Sequence, residues 1–228
     1  MAKSKSYKLP FPERIPAMLA TIVKEPFNDP DWLFEIKWDG CRTVTEVRNG
    51  KAVLYSQEGQ DYTDKYRLIV NEFEGQPDLV VDGVIVVLDD NGIPDISALQ
   101  HYNGRGDLVY YIFDLLYYDG ENYIERPLIQ RKEMLLHIIK KESILTYSDH
   151  FDDGKALFDQ IKLLGLEGVI AKRKESIYQP GKRSKDWLHI KISIRRKNKK
   201  PEKIIPDIYN DVIKEIERVR EKKLRNGR

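Results

Sequence analysis

The sequence predicts an α+β body of antiparallel sheets flanked by helices, and three observations carry that prediction. Strand-like apolar runs recur at short intervals over 33–38, 42–47, 52–55, 79–81, 84–88 and 108–116. Two of them are joined by Asn49-Gly50, residue types that suit the two-residue turn of a hairpin. Three other stretches, 64–74, 129–140 and 155–164, carry apolar residues at helical spacing. Closely spaced turns favour antiparallel pairing, because parallel strands need a crossover of about a dozen residues or more.

In chain order, Pro10, Pro12, Pro16, Pro26 and Pro30 make the first thirty residues extended chain wrapping the body, with one short helix. The strand runs follow, the first two separated by the turn-forming Asp39-Gly40. The helical stretches lie between or after them, and strand character returns at 168–172 and 187–192. After Ile192 the chain becomes hydrophilic, with Arg195-Arg196-Lys197-Asn198-Lys199-Lys200-Pro201. Ile208, Val212, Ile216 and Val219 then recur at helical spacing. The expected division is a body over 1–194 and, over 195–228, a basic linker with an amphipathic helix.

Composition narrows the function. A chain of 228 residues, 41% hydrophobic and 33% charged, has ordinary water-soluble composition and length for one large core or two small ones. No apolar run reaches the roughly 20 residues of a membrane span, and the basic N-terminus lacks a secretory apolar stretch. The lone Cys41 excludes an internal disulfide and suits a reducing cytosol. Four scattered histidines show no metal spacing, and no glycine-rich Walker loop is present. Residues 195–228 hold 13 Lys/Arg against 6 Asp/Glu, a net +7, which leaves −5 on the body out of a total of +2. A basic tail on an acidic body suits attraction to nucleic-acid phosphates, or else a merely solubilising helix.

The most informative segment is Glu35-Ile36-Lys37-Trp38-Asp39-Gly40-Cys41-Arg42. It sets one lysine at the end of an apolar run, just before a turn and five residues from an arginine. An amine held there can serve as a nucleophile toward phosphorus, provided its environment lowers a pKa that is ordinarily about 10.4. The same pattern also fits a plain hairpin with a lysine at its border.

This octet resembles the first motif of the covalent nucleotidyltransferases, which include ATP-dependent DNA ligases, RNA ligases and mRNA capping enzymes. Around it, Pro16-Ala17-Met18-Leu19-Ala20, Pro26-Phe27 and Pro30-Asp31-Trp32-Leu33-Phe34-Glu35 resemble the ligase domain of bacterial ligase D. Family-like segments follow in order: Asp82-Gly83, Phe113-Asp114-Leu115-Leu116, Glu167-Gly168-Val169 and Trp187-Leu188-His189-Ile190-Lys191. Together they span 12–192, and ordered motifs over most of a chain are far more specific than any one alone.

The resemblance implies an ATP-grasp-like nucleotidyltransferase (adenylation) domain over 1–194. Family ligases continue into an OB-type barrel of about 90–100 residues with many short strands. The 36 residues after Ile192 read as helical, so no barrel is expected from them. Lys37 is implied as the nucleophile on the α-phosphate of ATP, with Arg42 and Lys191 as further catalytic cations. Glu35 would lie near the adenine edge and Phe113 would stack on the base. Glu167 would hold Mg²⁺ or Mn²⁺, and His189 with Lys191 would meet the nucleotide. Arg42 also fits a surface salt bridge, and Phe113 a core position. The implied substrate is nicked duplex DNA in break repair, beside a Ku-type end-binding protein or a separate OB-domain partner, in the nucleoid-associated cytosol.

Three positions depart from the family pattern: Gln57 replaces arginine, Val84 glutamate, and His189 the first of two lysines. Arginine to glutamine removes a fixed two-pronged cation, glutamate to valine removes a carboxylate, and histidine is mostly neutral at pH 7. Each loss is of the size of a deleted transition-state contact, about 2–4 kcal/mol. A divergent ligase, an impaired nucleotide- or DNA-end-binding module, and an RNA ligase therefore remain the three readings.

Overall fold

The computed structural model describes residues 10–90, 92–139 and 144–192. The basic tail, its helical stripe and the boundary at 194/195 lie outside the described residues. Two sheets form the body. The first has the strand order β1 (Leu19–Val23), β10 (Arg183–Lys191), β9 (Gly168–Arg173), β2 (Trp32–Ile36). The second runs β4 (Lys51–Ser56), β3 (Cys41–Arg48), β5 (Leu79–Leu88), β6 (Asp107–Tyr118), β7 (Glu121–Asn122), with β8 (Leu145–Tyr147) also on β6.

The sheets are mixed, which corrects the expectation of purely antiparallel pairing. β1 runs parallel to β10 and β8 runs parallel to β6. Both pairings satisfy the crossover requirement: helix α3 (Leu128–Ile138) lies between β6 and β8, and almost the whole body separates β1 from β10. The short element in the first thirty residues is thus a strand, and the described part of that segment contains no helix.

Local chemistry explains the elements. Asn49 and Gly50 adopt φ of 53° and 73°, the paired positive values of a type I′ turn, and Arg48 faces Lys51 across the hairpin. The runs 79–81 and 84–88 fuse into one strand, because Asp82-Gly83 forms an irregularity within β5 rather than a turn. Gly83 is needed there, since a Cβ would sit about 2.5 Å from the Tyr111 carbonyl. Nine of the ten residues of β5 are buried, as expected of a central strand covered on both faces.

Helix α1 (Arg67–Glu72) is shorter than its periodicity suggested, and α4 (Gly154–Leu163) starts at Asp153, whose side chain accepts from Ala156 N–H. The five-residue α2 (Ile96–Gln100) is too short for any periodic signal. One core lies under the second sheet around Leu54, Phe73 and Ile112, and another under the first around Phe34, Ile161 and Val169. Truncating a ring as buried as Phe34 costs about 3–5 kcal/mol. A third cluster, with Met18, Leu116, Tyr178 and Trp187, joins the two sheets and fixes the floor of a cleft between them.

Candidate functional site

The cleft is a cavity of about 470 Å³, within the range of small-molecule sites. The first sheet contributes Glu35, Ile170, Lys172, Trp187 and His189, and the second contributes Arg42, Val84 and Phe113.

Lys37 follows β2 at the cavity wall, where its N–H donates to the Gly168 carbonyl at 2.9 Å. Antiparallel pairing of Ile36 with Val169 carries Glu167 to the same end of the sheet. The Lys37 ammonium therefore donates to Glu167 Oε2 and to the Trp38 carbonyl, each at 3.0 Å. Both side chains of this pair are 32% exposed. On β10, His189 places Nε2 3.8 Å from the other Glu167 oxygen. Burial lowers the His189 pKa against the opposing pull of Glu167, so its imidazole is mainly neutral at pH 7. Lys191, at the end of β10, is exposed and does not line the cavity, although its charge also depresses His189.

Arg42 is positioned from below. Its guanidinium makes two hydrogen bonds to the fully buried Asp82, Nε to Oδ1 at 3.1 Å and Nη2 to Oδ2 at 2.7 Å. Tyr178 hydroxyl donates to the same carboxylate at 2.7 Å and accepts from Met18 N–H. Burial disfavours the charged guanidinium, but Asp82 outweighs it and pushes Arg42 above its ordinary range. Arg42 is thus a fixed cation on a buried base, not a surface salt bridge.

Phe113 is partly buried at the cavity wall, edge-on to Trp187 with ring centroids 6.0 Å apart. Two cations lie over the ring: Lys172 Nζ at 4.0 Å from its centroid and Arg42 Cζ at 5.4 Å. Glu35 is 2% exposed and bound on both oxygens, by Lys132 Nζ at 2.6 Å and Lys172 Nζ at 2.8 Å.

Lys132 and Lys172 were not singled out by sequence reasoning. Lys172 follows the apolar run Val169-Ile170-Ala171 near the end of β9, a signal equal in kind to that of Lys37. On α3, residues 128, 131, 132 and 135 form the buried stripe, so Arg131 and Lys132 occupy positions where an amphipathic helix ordinarily carries apolar side chains. Arg131 is satisfied by Asp114 at 2.7 and 2.9 Å and by two carbonyls.

For a metal, the carboxylates nearest Lys37 are Glu167 and Asp39; burial, then Glu167, raises the Asp39 pKa while Lys37 opposes. Among the described residues no three His, Cys, Asp or Glu side chains converge. Such a sparse oxygen set suits a hard ion that keeps most of its waters, as Mg²⁺ does. The three departures are not scattered: Gln57, Val84 and His189 all line this cavity.

A family model of the ATP-dependent DNA ligase domain matches residues 17–191, the span that carries every one of these groups. The chain belongs to that family. It is 34% identical over 197 residues to the multifunctional non-homologous end joining protein LigD of Pseudomonas aeruginosa, covering 83% of this chain and 23% of that protein. The fold of this ligase-family chain superposes on the ligase domain of LigD from M. tuberculosis with TM-score 0.70 and 33% identity, over 78% of this chain and 60% of the other. A mycobacterial DNA ligase D complexed with ATP and MES aligns with TM-score 0.67 and 32% identity, over 78% and 60%. The chain therefore spans only about a quarter of the length of the P. aeruginosa relative. Mixed sheets with flanking helices are the architecture it shares with these ligase domains.

Proposed function

We propose that this chain is the adenylation domain of an ATP-dependent DNA ligase, forming a covalent lysyl-AMP at Lys37 and passing AMP to the 5′-phosphate of a DNA nick. The observation that carries this reading is Lys37 Nζ, held 3.0 Å from Glu167 at the wall of a nucleotide-sized cavity. Lys37 gives up its proton, its lone pair bonds to the α-phosphorus of ATP, and the bond to the bridging oxygen breaks to release pyrophosphate. A 5′-phosphate oxygen then displaces Lys37 from the adenylate. Finally the 3′-hydroxyl attacks that 5′-phosphate, and AMP leaves with the proton balance closed by solvent.

Arg42 is the fixed cation for the phosphates, and Lys191, exposed at the end of β10, a second one. Phe113 gives the base an apolar face, and Glu35 with His189 completes the nucleotide contacts. Glu167 would hold Mg²⁺ or Mn²⁺, which supplies positive charge against the phosphates when bound. Residues 1–194 act as an ATP-grasp-like unit, and the net +7 of residues 195–228 serves to hold nucleic acid against a body of net charge −5. The likeness to an end-joining protein supports break repair; a Ku-type end-binding partner and a place in the nucleoid-associated cytosol belong to the same proposal. Among the described residues no helix is long and apolar enough to cross a membrane.

One observation favours a second reading. Gln57, Val84 and His189 all lie on the cavity wall, so a module that binds nucleotide or DNA ends but seals poorly follows if those losses combine. Incubation with α-labelled ATP and Mg²⁺ tests both. Label on the wild type and none on Lys37→Ala supports the ligase reading; an unlabelled wild type leaves only the binding module. Preferential sealing of a pre-adenylated RNA nick over a DNA nick would make the chain an RNA ligase.

A further inference from the structure

Beneath the cavity, two ammonium groups share one carboxylate. Lys132 Nζ reaches Glu35 Oε1 at 2.6 Å and the Ser148 carbonyl at 3.0 Å, and Lys172 Nζ reaches Glu35 Oε2 at 2.8 Å. Lys132 and Lys172 are each 1% exposed to solvent. Only Lys172 and Glu35 of the three line the cavity. The other ion pairs around it, Lys37–Glu167 and Arg42–Asp82, are each one cation to one carboxylate. The shared carboxylate can neutralise only one of its two partners, so the triad keeps a surplus positive charge at the cavity floor.

We infer that Lys132 is a positioning residue for nucleotide binding: by holding one oxygen of Glu35, it turns the other to fix the Lys172 ammonium between Phe113 and Trp187, as a cation presented to the bound nucleotide. This rests on the proposed ATP-binding role of the cavity. Lys172 Nζ lies 4.0 Å from the Phe113 centroid and 4.4 Å from that of Trp187. Two ring faces and a single carboxylate oxygen leave part of its donor capacity for a ligand acceptor.

The charges that face Lys172 give the inference a pH signature. Burial lowers its pKa to about 8, against the stabilising pull of Glu35 on β2. Lys132 on α3 lowers it further, and Asp114 on β6 opposes. Arg42 on β3 lies over the same two rings, Tyr147 on β8 adjoins Lys132, and His189 on β10 lines the same cavity. Lys132 itself is driven upward: burial acts against its charge, but Glu35 outweighs it. Lys132 therefore stays charged throughout, and Lys172 is the member that titrates.

The test measures ATP binding by equilibrium dialysis with the full chain, from about pH 6.5 to about pH 9.5, across the fall expected near 8. Wild-type affinity should weaken as pH rises through about 8, because the ammonium is lost. Lys132→Gln should bind about tenfold more weakly at neutral pH. Its alkaline fall should move to higher pH, since a repelling charge has gone. Lys132→Arg should recover most of both effects. Lys172→Gln should bind weakly at every pH, with no alkaline fall.

A folded Lys132→Gln with unchanged affinity and pH course overturns the inference, and so does a wild-type affinity flat across the range. If Lys132→Gln fails to fold, a Lys172→Gln that keeps the alkaline fall overturns it, and one that loses the fall supports it. PH-dependent binding without any Lys37 adduct retires the proposed activity and leaves this inference standing. Adduct formation with pH-flat affinity does the reverse, and no ATP binding at all overturns both.

Discussion

Two lysine–carboxylate contacts border the same cavity and differ in almost every physical respect. Lys37 and Glu167 meet at 3.0 Å with 32% of each side chain exposed. Lys132, Glu35 and Lys172 meet at 2.6 and 2.8 Å with at most 3% exposed. Water can replace either partner of the first pair, so that contact is cheap to open, as the proposed covalent chemistry at Lys37 requires. The second meets open space only where Lys172 and Glu35 face the cavity, so water does not replace its partners and its loss is a loss of structure. In the proposed chemistry one carboxylate releases its lysine for reaction, while the other holds its lysines in place.

Breaking the buried contact should give the largest effect. Glu35→Ala leaves two buried ammonium groups without a counter-charge, and urea unfolding should show a loss of about 3–5 kcal/mol. Next comes Asp82→Asn, which removes the charge beneath Arg42. A loss of about 3 kcal/mol is expected, with ATP affinity falling alongside it.

Lys172 supplies a pH prediction whose sign follows from linkage. Its folded value of about 8 lies below the ordinary lysine value. At pH 7 the folded protein therefore carries the full cost of a buried ammonium. As pH rises above 8, the folded state sheds that proton before the unfolded chain does. Unfolding free energy of the wild type should thus rise relative to Lys172→Met between about pH 8 and about pH 10, by on the order of 2 kcal/mol. A constant difference over that window would contradict the assignment. The smallest stability effect belongs to Glu167→Gln, within about 1 kcal/mol of wild type, although the same change should abolish adduct formation.

The contrast also separates what the sequence made legible from what it did not. The hairpin at Asn49-Gly50 is local, and two adjacent residue types announce it. The expected turn at Asp39-Gly40 is instead a bend that carries the chain from the first sheet into the second. The ordered family motifs brought out Lys37, Arg42, Phe113, Glu167 and His189, and the fold gathers these around one cleft. The triad joins residues 97 and 137 positions apart, and no local pattern marks such a pairing. Lys132 reads as one more solvated charge on an amphipathic helix until the fold turns that face inward. The parallel pairing of β1 with β10 was hidden for the same reason, since Leu19 and Arg183 become neighbours only after the intervening chain has folded. The departures at Gln57, Val84 and His189 were visible one by one, but their convergence on one wall was not.

The decisive question is which cavity lysine bonds to AMP. Lys172 has the lowered pKa of a free amine near neutral pH, yet it is buried and tied to Glu35. Lys37 is exposed enough to meet a phosphate and to leave Glu167. Peptide mapping by mass spectrometry after incubation with ATP and Mg²⁺ tests this directly. The AMP adduct should appear on the peptide containing Lys37 and nowhere else; an adduct on Lys172, or none on the wild-type protein, would contradict the account.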